Sequence, residues 1–241
     1  MINNSELKYI QSFAHKKHWA EESAFIVEGP KMVQELLRSN WTIKKIYATA
    51  DWIQGQGVLP VPVVEVDQIM LGRMSQMQTP HQVIALAEKE SFLKPIPFNE
   101  TFSLLLDGIQ DPGNLGTIIR TADWFGIQQI LVSDDTAGFY NPKVLQSTMG
   151  SCFRVRVESV LLEEVLTASS LPVYGAVLNG SSMYETKMES TGFLVIGNES
   201  KGIGAQLTKY ITHPIKIPKF GHAESLNAAV ATGIILSHWK A

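Results

Sequence analysis

Four short apolar runs constrain this chain most: LLL at Leu104–Leu106, ILV at Ile130–Val132, VYGAVL at Val173–Leu178 and FLVIG at Phe193–Gly197. Each is short for a helix and lacks the polar alternation of a strand with one wet face, so each needs cover on both sides. Strands of that kind belong to parallel sheets flanked by helices, and the intervening segments have helical spacing. The pattern predicts strands at Phe102–Asp107, Gln129–Ser133, Phe153–Val157, Val173–Leu178, Phe193–Gly197 and His213–Ile217. Helices are expected at Asn114–Phe125, Pro142–Met149, Leu161–Ala168, Gly204–Tyr210 and Leu226–Trp239. Along the last of these, Leu226, Ala229, Val230, Gly233, Ile234 and Ser237 are expected to share a packed face.

The first ninety residues alternate on a smaller scale. Leu7, Ile10 and Phe13–Ala14 recur at helical spacing within 3–17, and Gly29–Pro30 opens a second helix at Lys31–Arg38, proline being suited to a first turn. Ala24–Glu28, Ile43–Ala48, Val61–Val66 and Val83–Ala87 read as strands, Gln54–Val58 as a glycine-rich loop, and Asp67 as the cap of a short helix ending near Arg73. From Glu88 to Thr101 the period lapses around Pro95 and Pro97. The expected division is a small α/β domain over 1–90, a linker over 91–100 and a parallel-sheet domain over 101–241.

At 241 residues and 45% hydrophobic, the chain can bury two cores. Its best apolar run, Ala228–Ile235, is broken by Thr232 and Gly233 and falls short of the roughly 20 residues of a membrane helix. The first residues lack a secretory-signal pattern, and the lone Cys152 excludes an internal disulfide framework and a cysteine-rich zinc site. Cys152 itself reads as a small buried hydrophobe. The six histidines have no ligand-like spacing, so no metal is expected. A cytoplasmic protein without membrane attachment is the expectation. A net charge of −3 is not the footprint of a general nucleic-acid binder. Lys8, Lys16, Lys17, Lys31, Arg38, Lys44 and Lys45 nevertheless cluster early, interleaved with Glu6, Glu21, Glu22, Glu28 and Glu35. Charge alone leaves RNA and a merely solvated mixed-charge face equally open.

Ligands of open parallel sheets bind beyond the carboxyl ends of the strands, where three glycine-marked loops fall. Neither a P-loop nor a G-x-G-x-x-G turn is present, which excludes the common nucleotide sites. The first loop, Leu104–Ile127, carries Asp107, the turn Asp111–Pro112–Gly113, Asn114 as a helix cap, and Arg120 in an otherwise small or apolar helix. Arg120 has two readings: a helix arginine paired with a nearby carboxylate such as Asp123, or a planar fork for a phosphate or carboxylate ligand. The second loop, Phe193–Gly204, contains Gly197, Asn198, Glu199 and Gly202, with glycines that let the backbone approach a ligand. Glu199 reads as a ligand contact or as a helix-start carboxylate. In the third, Ile215–Trp239, Ser225 suits a helix cap, while Asn227 is a weak helix former that packing does not require.

Together and in this order, the loops resemble the SpoU/TrmH family of RNA ribose 2′-O-methyltransferases, in the SPOUT superfamily. The family's D-P-x-N-x-G followed by R-T-A matches Asp111–Gly116 and Arg120–Ala122. Its G-x-E-x-x-G matches Gly197–Gly202, and its I-P-x-x-G-x-x-x-S-L-N matches Ile217–Asn227. Lys219 stands where a methionine commonly follows the proline. The resemblance covers residues 100–241, while FIVEGPKMVQELL at 25–37 resembles the ribosomal-protein-like substrate-binding domain of ribosomal RNA members. It implies a three-layer α/β/α domain with a C-terminal trefoil knot, usually a homodimer, that takes S-adenosylmethionine. It also implies 2′-O-methylation of RNA, ribosomal RNA before tRNA, with a non-catalytic ribosome-assembly factor as the alternative from another class. Carried over by motif, Asn114, Arg120, Glu199, Ser225 and Asn227 are the expected catalytic set. Gly197, Gly202, Ile217 and Leu226 are expected to meet the cofactor, with Leu178, Asn179 and Gly180 lining its adenosine pocket.

Overall fold

The computed structural model describes residues 2–89, 97–98 and 101–241, so the expected linker, apart from Pro97 and Phe98, lies outside the described residues. The chain forms two compact units, one of residues 1–93 with Tyr140–Phe153, the other of residues 94–139 with Arg154–Ala241.

In the first unit, β1 (Ala24–Glu28), β2 (Ile43–Ala48), β3 (Val63–Glu65) and β4 (Val83–Glu88) form a sheet in the order β1-β4-β2-β3. β4 is antiparallel to both of its neighbours, and β2 pairs with β3 in parallel. The helix expected over 3–17 is two helices, α1 (Asn4–Ser12) and α2 (Lys16–Glu21). The first stops where Phe13 turns its ring into the core, edge-on to Tyr9 at 5.1 Å. Further on, α3 (Pro30–Leu37) starts at the proline, behind Gly29 at φ +93°. An unanticipated α4 (Ala50–Gln54) precedes the glycine loop, anchored by buried Trp52. Asp67 caps α5 (Gln68–Met74) by accepting from the Met70 amide at 2.7 Å.

Within the same unit lies α7 (Pro142–Thr148), followed by a 3-10 turn at Ser151–Phe153. Gln146 Nε2 donates to the Glu28 carbonyl at 2.9 Å, Tyr140 lies 5.0 Å from Phe25, and Phe153 meets Trp41 edge-on at 5.8 Å. That tertiary anchoring is why the strand expected at Phe153–Val157 begins only at Arg156. Cys152, in this turn, is buried as expected.

The second unit holds β5 (Phe102–Asp107), β6 (Gln129–Val132), β7 (Arg156–Ser159), β8 (Val173–Ser182), β9 (Gly192–Gly197) and β10 (His213–Lys216). Their order is β10-β8-β9-β5-β6-β7, with every pairing parallel. α8 (Leu162–Thr167) and α9 (Ala205–Thr208) cover one face, where Leu162, Leu166 and Leu207 pack on Leu105, Phe193 and Val195. The alternating residues Leu104, Leu106, Leu194 and Ile196 point the other way, toward α6 (Pro112–Trp124) and α10 (Ala228–Lys240). Burying each such side chain contributes about 1.5–3 kcal/mol, which makes the two middle strands the rigid base of the site. The register Phe102↔Gly192 through Asp107↔Gly197 brings their carboxyl ends level.

The packed stripe of α10 differs from the expected one. Ala228, Ala229, Thr232, Ile235 and Leu236 are buried, whereas Leu226 and Val230 are exposed. Among the described residues, no helix is long and apolar enough to cross a membrane, and no His, Cys, Asp or Glu group could hold a metal.

Candidate functional site

Asp107, the last residue of β5, accepts from the Gly204 amide at 2.7 Å and so draws the second loop over the sheet edge. Next to it, Gly108 has φ +69°; its amide donates to Ser133 Oγ at 2.8 Å and its carbonyl accepts from Asn198 Nδ2 at 2.8 Å. Asn198 Oδ1 also receives the amides of Ser200 and Lys201, at 2.9 and 3.1 Å, and its backbone pairs with Gly202 in both directions. A Cβ on Gly197 would overlap the backbone of Gly202 and Ile203, so that position admits only glycine. Asp107 and Asn198 therefore build the loop that presents Glu199. Sequence reasoning passed over this role for both, although a polar residue at a strand's carboxyl end beside glycine loops was the available signal.

The first and third loops meet Glu199 through two asparagines. Asn114 Nδ2 donates to Glu199 Oε1 at 2.6 Å, and Asn227 Nδ2 donates to Asn114 Oδ1 at 2.8 Å. Asn114 is not the helix cap that its position suggested. Asp111 caps α6, accepting from the Asn114 amide at 2.8 Å, which leaves the Asn114 side chain to bridge loops. Likewise Asn227, not Ser225, caps α10, taking the amides of Ala229 and Val230 at 3.0 and 3.3 Å. Three residues distant in sequence thus form one hydrogen-bonded row, Asn227–Asn114–Glu199. Glu199 Oε2 has no partner among the described residues.

Arg120 stands apart from this row. It is exposed and six residues beyond Asn114, which on a helix is about 9 Å along the axis and about 120° around it. Of the two readings of Arg120, the pair with Asp123 does not form among the described residues: Arg154 holds Asp123 through Nε and Nη2, both at 2.9 Å from Oδ2. Ser225 is exposed and does not join the row.

The residues expected around a cofactor fall at the same end of the sheet. Beyond Gly175, β8 runs through Ala176–Gly180 with no paired residue on β9 or β10, and its pairing with β10 resumes at Ser181. Leu178 and Asn179 are exposed there, and a Cβ on Gly180 would lie 2.6 Å from the Pro214 backbone. From Pro218 to Leu226, the backbone makes no hydrogen bond to another main-chain group among the described residues. The unpaired interior of β8 and the segment after β10 thus offer main-chain groups outside the sheet pairing, together with apolar side chains. That donor set suits a nucleoside-containing ligand held mainly by main-chain groups.

Two family models match this chain: the SpoU rRNA methylase family over residues 101–237 and an MRM3-like substrate binding domain over residues 4–85. The chain is 32% identical to the 23S rRNA (guanosine(2553)-2′-O)-methyltransferase RlmP of Bacillus subtilis, over 98% of this chain and 96% of that one. Among solved structures, it superposes on a TrmH-family protein from Porphyromonas gingivalis with a TM-score of 0.90, at 35% identity over 99% of this chain and 98% of the other. It matches an AdoMet-bound rRNA methyltransferase from Sinorhizobium meliloti with a TM-score of 0.85, at 27% identity over 100% and 95%.

Proposed function

This chain belongs to the SpoU rRNA methylase family, and on that premise we propose that it methylates a ribose 2′-hydroxyl of ribosomal RNA from S-adenosylmethionine. The observation that carries this reading is the Asn227–Asn114–Glu199 row, which ties three loops together. Packing alone requires no such row. The family's fold implies a trefoil knot in this part of the chain, where Gly180 leaves no room for a Cβ against the Pro214 backbone.

Leu178, Asn179 and Gly180, with the main chain of Gly197, Gly202, Ile217 and Leu226, would hold the cofactor. Bound there, S-adenosylmethionine supplies a sulfonium methyl, the electrophile for a ribose oxygen. The chain's own task is to orient that ribose, and a near-attack arrangement is worth roughly 7–11 kcal/mol of the barrier. Asn114, fixed from both sides, sets the direction of the Glu199 carboxylate, whose second oxygen can accept from a ribose hydroxyl. Arg120, with its planar fork of donors, would bind the phosphate of the target nucleotide and stabilise charge near the hydroxyl. Ser225, exposed on the third loop, would add a hydroxyl contact to the RNA.

The first unit would contribute to binding the RNA. Arg38, Lys44 and Lys45 there are paired with Glu35, Glu88 and Glu6, whereas Lys8, Lys16, Lys17 and Lys31 are exposed. A local basic surface can outweigh a mildly negative total, and binding by it weakens steeply with salt. We read the protein as a cytoplasmic homodimer.

Methyl transfer from labelled S-adenosylmethionine to ribosomal RNA and tRNA, both from cells lacking this protein, tests the reading. Label in ribosomal RNA, mapped to a 2′-oxygen and lost in Arg120→Ala, is the expected result. Label in tRNA alone would reassign the substrate. Cofactor binding without label in either RNA would point to an assembling particle as substrate, and absence of both would favour a scaffold on the same fold.

A further inference from the structure

We propose that Arg154 is a positioning residue that keeps Arg120 available to RNA by occupying the carboxylate of Asp123; the inference rests on the reading of Arg120 given above. Residues three apart on a helix face one another, and an arginine and an aspartate so placed form an ion pair. Arg120 and Asp123 have that spacing on α6, yet Arg120 is exposed and in no ion pair among the described residues. Asp123 is instead held by Arg154, whose Nε and Nη2 both converge on Oδ2 at 2.9 Å. Arg154 comes from the segment leading into β7, so the carboxylate is neutralised from outside its own helix.

Without Arg154, the Asp123 carboxylate has two effects, both unfavourable. It competes with a phosphate for the Arg120 guanidinium, and it places an uncompensated negative charge one helical turn from the phosphate site. Both effects vanish if the carboxylate is removed as well. This distinguishes the proposal from a structural ion pair, in which losing either partner is equally harmful and losing both is no better.

The test is steady-state methyl transfer by the full chain, with RNA varied at saturating S-adenosylmethionine. Wild type, R120A, R154A, D123A and the R154A/D123A double variant are compared, with cofactor Kd and Tm recorded for each. The expected pattern is a loss of about two- to fivefold in kcat/KM for RNA in R154A, the scale of an exposed ion pair, with cofactor Kd unchanged. D123A should stay within about twofold of wild type, and the double variant should return to the D123A value. A D123A defect equal to that of R154A, with no recovery in the double variant, overturns the proposal. So does an R154A enzyme that matches wild type. If R120A itself retains wild-type kinetics, the role given to Arg120 falls, and this inference falls with it.

Discussion

Asn227 serves two masters, and its two side-chain atoms separate them. Oδ1 caps α10, and Nδ2 donates to Asn114. Aspartate caps a helix about as well as asparagine but offers no donor. In Asn227→Asp, a carboxylate would face the Asn114 carbonyl; turning the Asn114 amide to meet it would set that carbonyl against Glu199. One repulsive contact remains in either arrangement. The expected outcome is a Tm within about 2 °C of wild type and a fall in kcat of about tenfold or more. Asn227→Ala should lower both, with a stability loss of about 0.5–2 kcal/mol from the missing cap. Equal activity in wild type and Asn227→Asp would show that the row is only structural. At this scale the sequence named the residues but not their geometry. Asp, Asn and Ser are nearly interchangeable as caps, so only the folded chain distinguishes Asp111 from Asn114 and Asn227 from Ser225.

Elements were legible where burial is local, and illegible where a distant contact decides. β5 runs over the expected residues because every position from Phe102 to Asp107 is buried, and that signal is carried by the segment itself. The break after α1 and the 3-10 turn at Ser151–Phe153 depend on partners far along the chain, Trp41 among them. The docking of α1 likewise depends on β2, through Glu6, which accepts from Lys45 Nζ and Tyr47 Oη, both at 2.7 Å. The Lys45 hydrogen bond, then that of Tyr47, hold the Glu6 carboxyl below its ordinary 4.5. A lowered carboxyl contributes stability that is fully present above about pH 4.5 and is lost as pH falls through the folded value. Glu28 has the opposite sign. Burial pushes its carboxyl up despite hydrogen bonds from Ser75 and the Gln76 amide, so its cost grows as pH rises above 4.5. Glu6→Gln should therefore lower Tm at pH 7 and matter little at pH 3. Glu28→Gln should compare more favourably with wild type at pH 7 than at pH 4. Thermal melts across that range check both, and parallel curves for the two variants would refute the opposed signs.

At the scale of the whole molecule, period and composition say nothing of how the chain threads or whether copies associate. α6 and α10 pack together where Gly233 lies against Thr121, yet both leave apolar side chains in solvent. Trp124 is 84% exposed, Val230 51% and Leu226 47%. The sequence had assigned Val230 and Leu226 to a packed face of α10, and the stripe that packs internally is a different one. In the homodimer proposed above, a self-complementary face would bury such side chains twice at once. Val230→Glu places a charge where such a face would exclude water, and a buried unpaired charge costs several kcal/mol, enough to dissociate a dimer of ordinary size. Light scattering should give about twice the chain mass of 26.7 kDa for wild type and about the chain mass for Val230→Glu, with Tm little changed because Val230 is already exposed in the single chain. A wild-type protein at the single-chain mass would refute the dimer, and a Val230→Glu variant at twice that mass would move the interface off this face of α10.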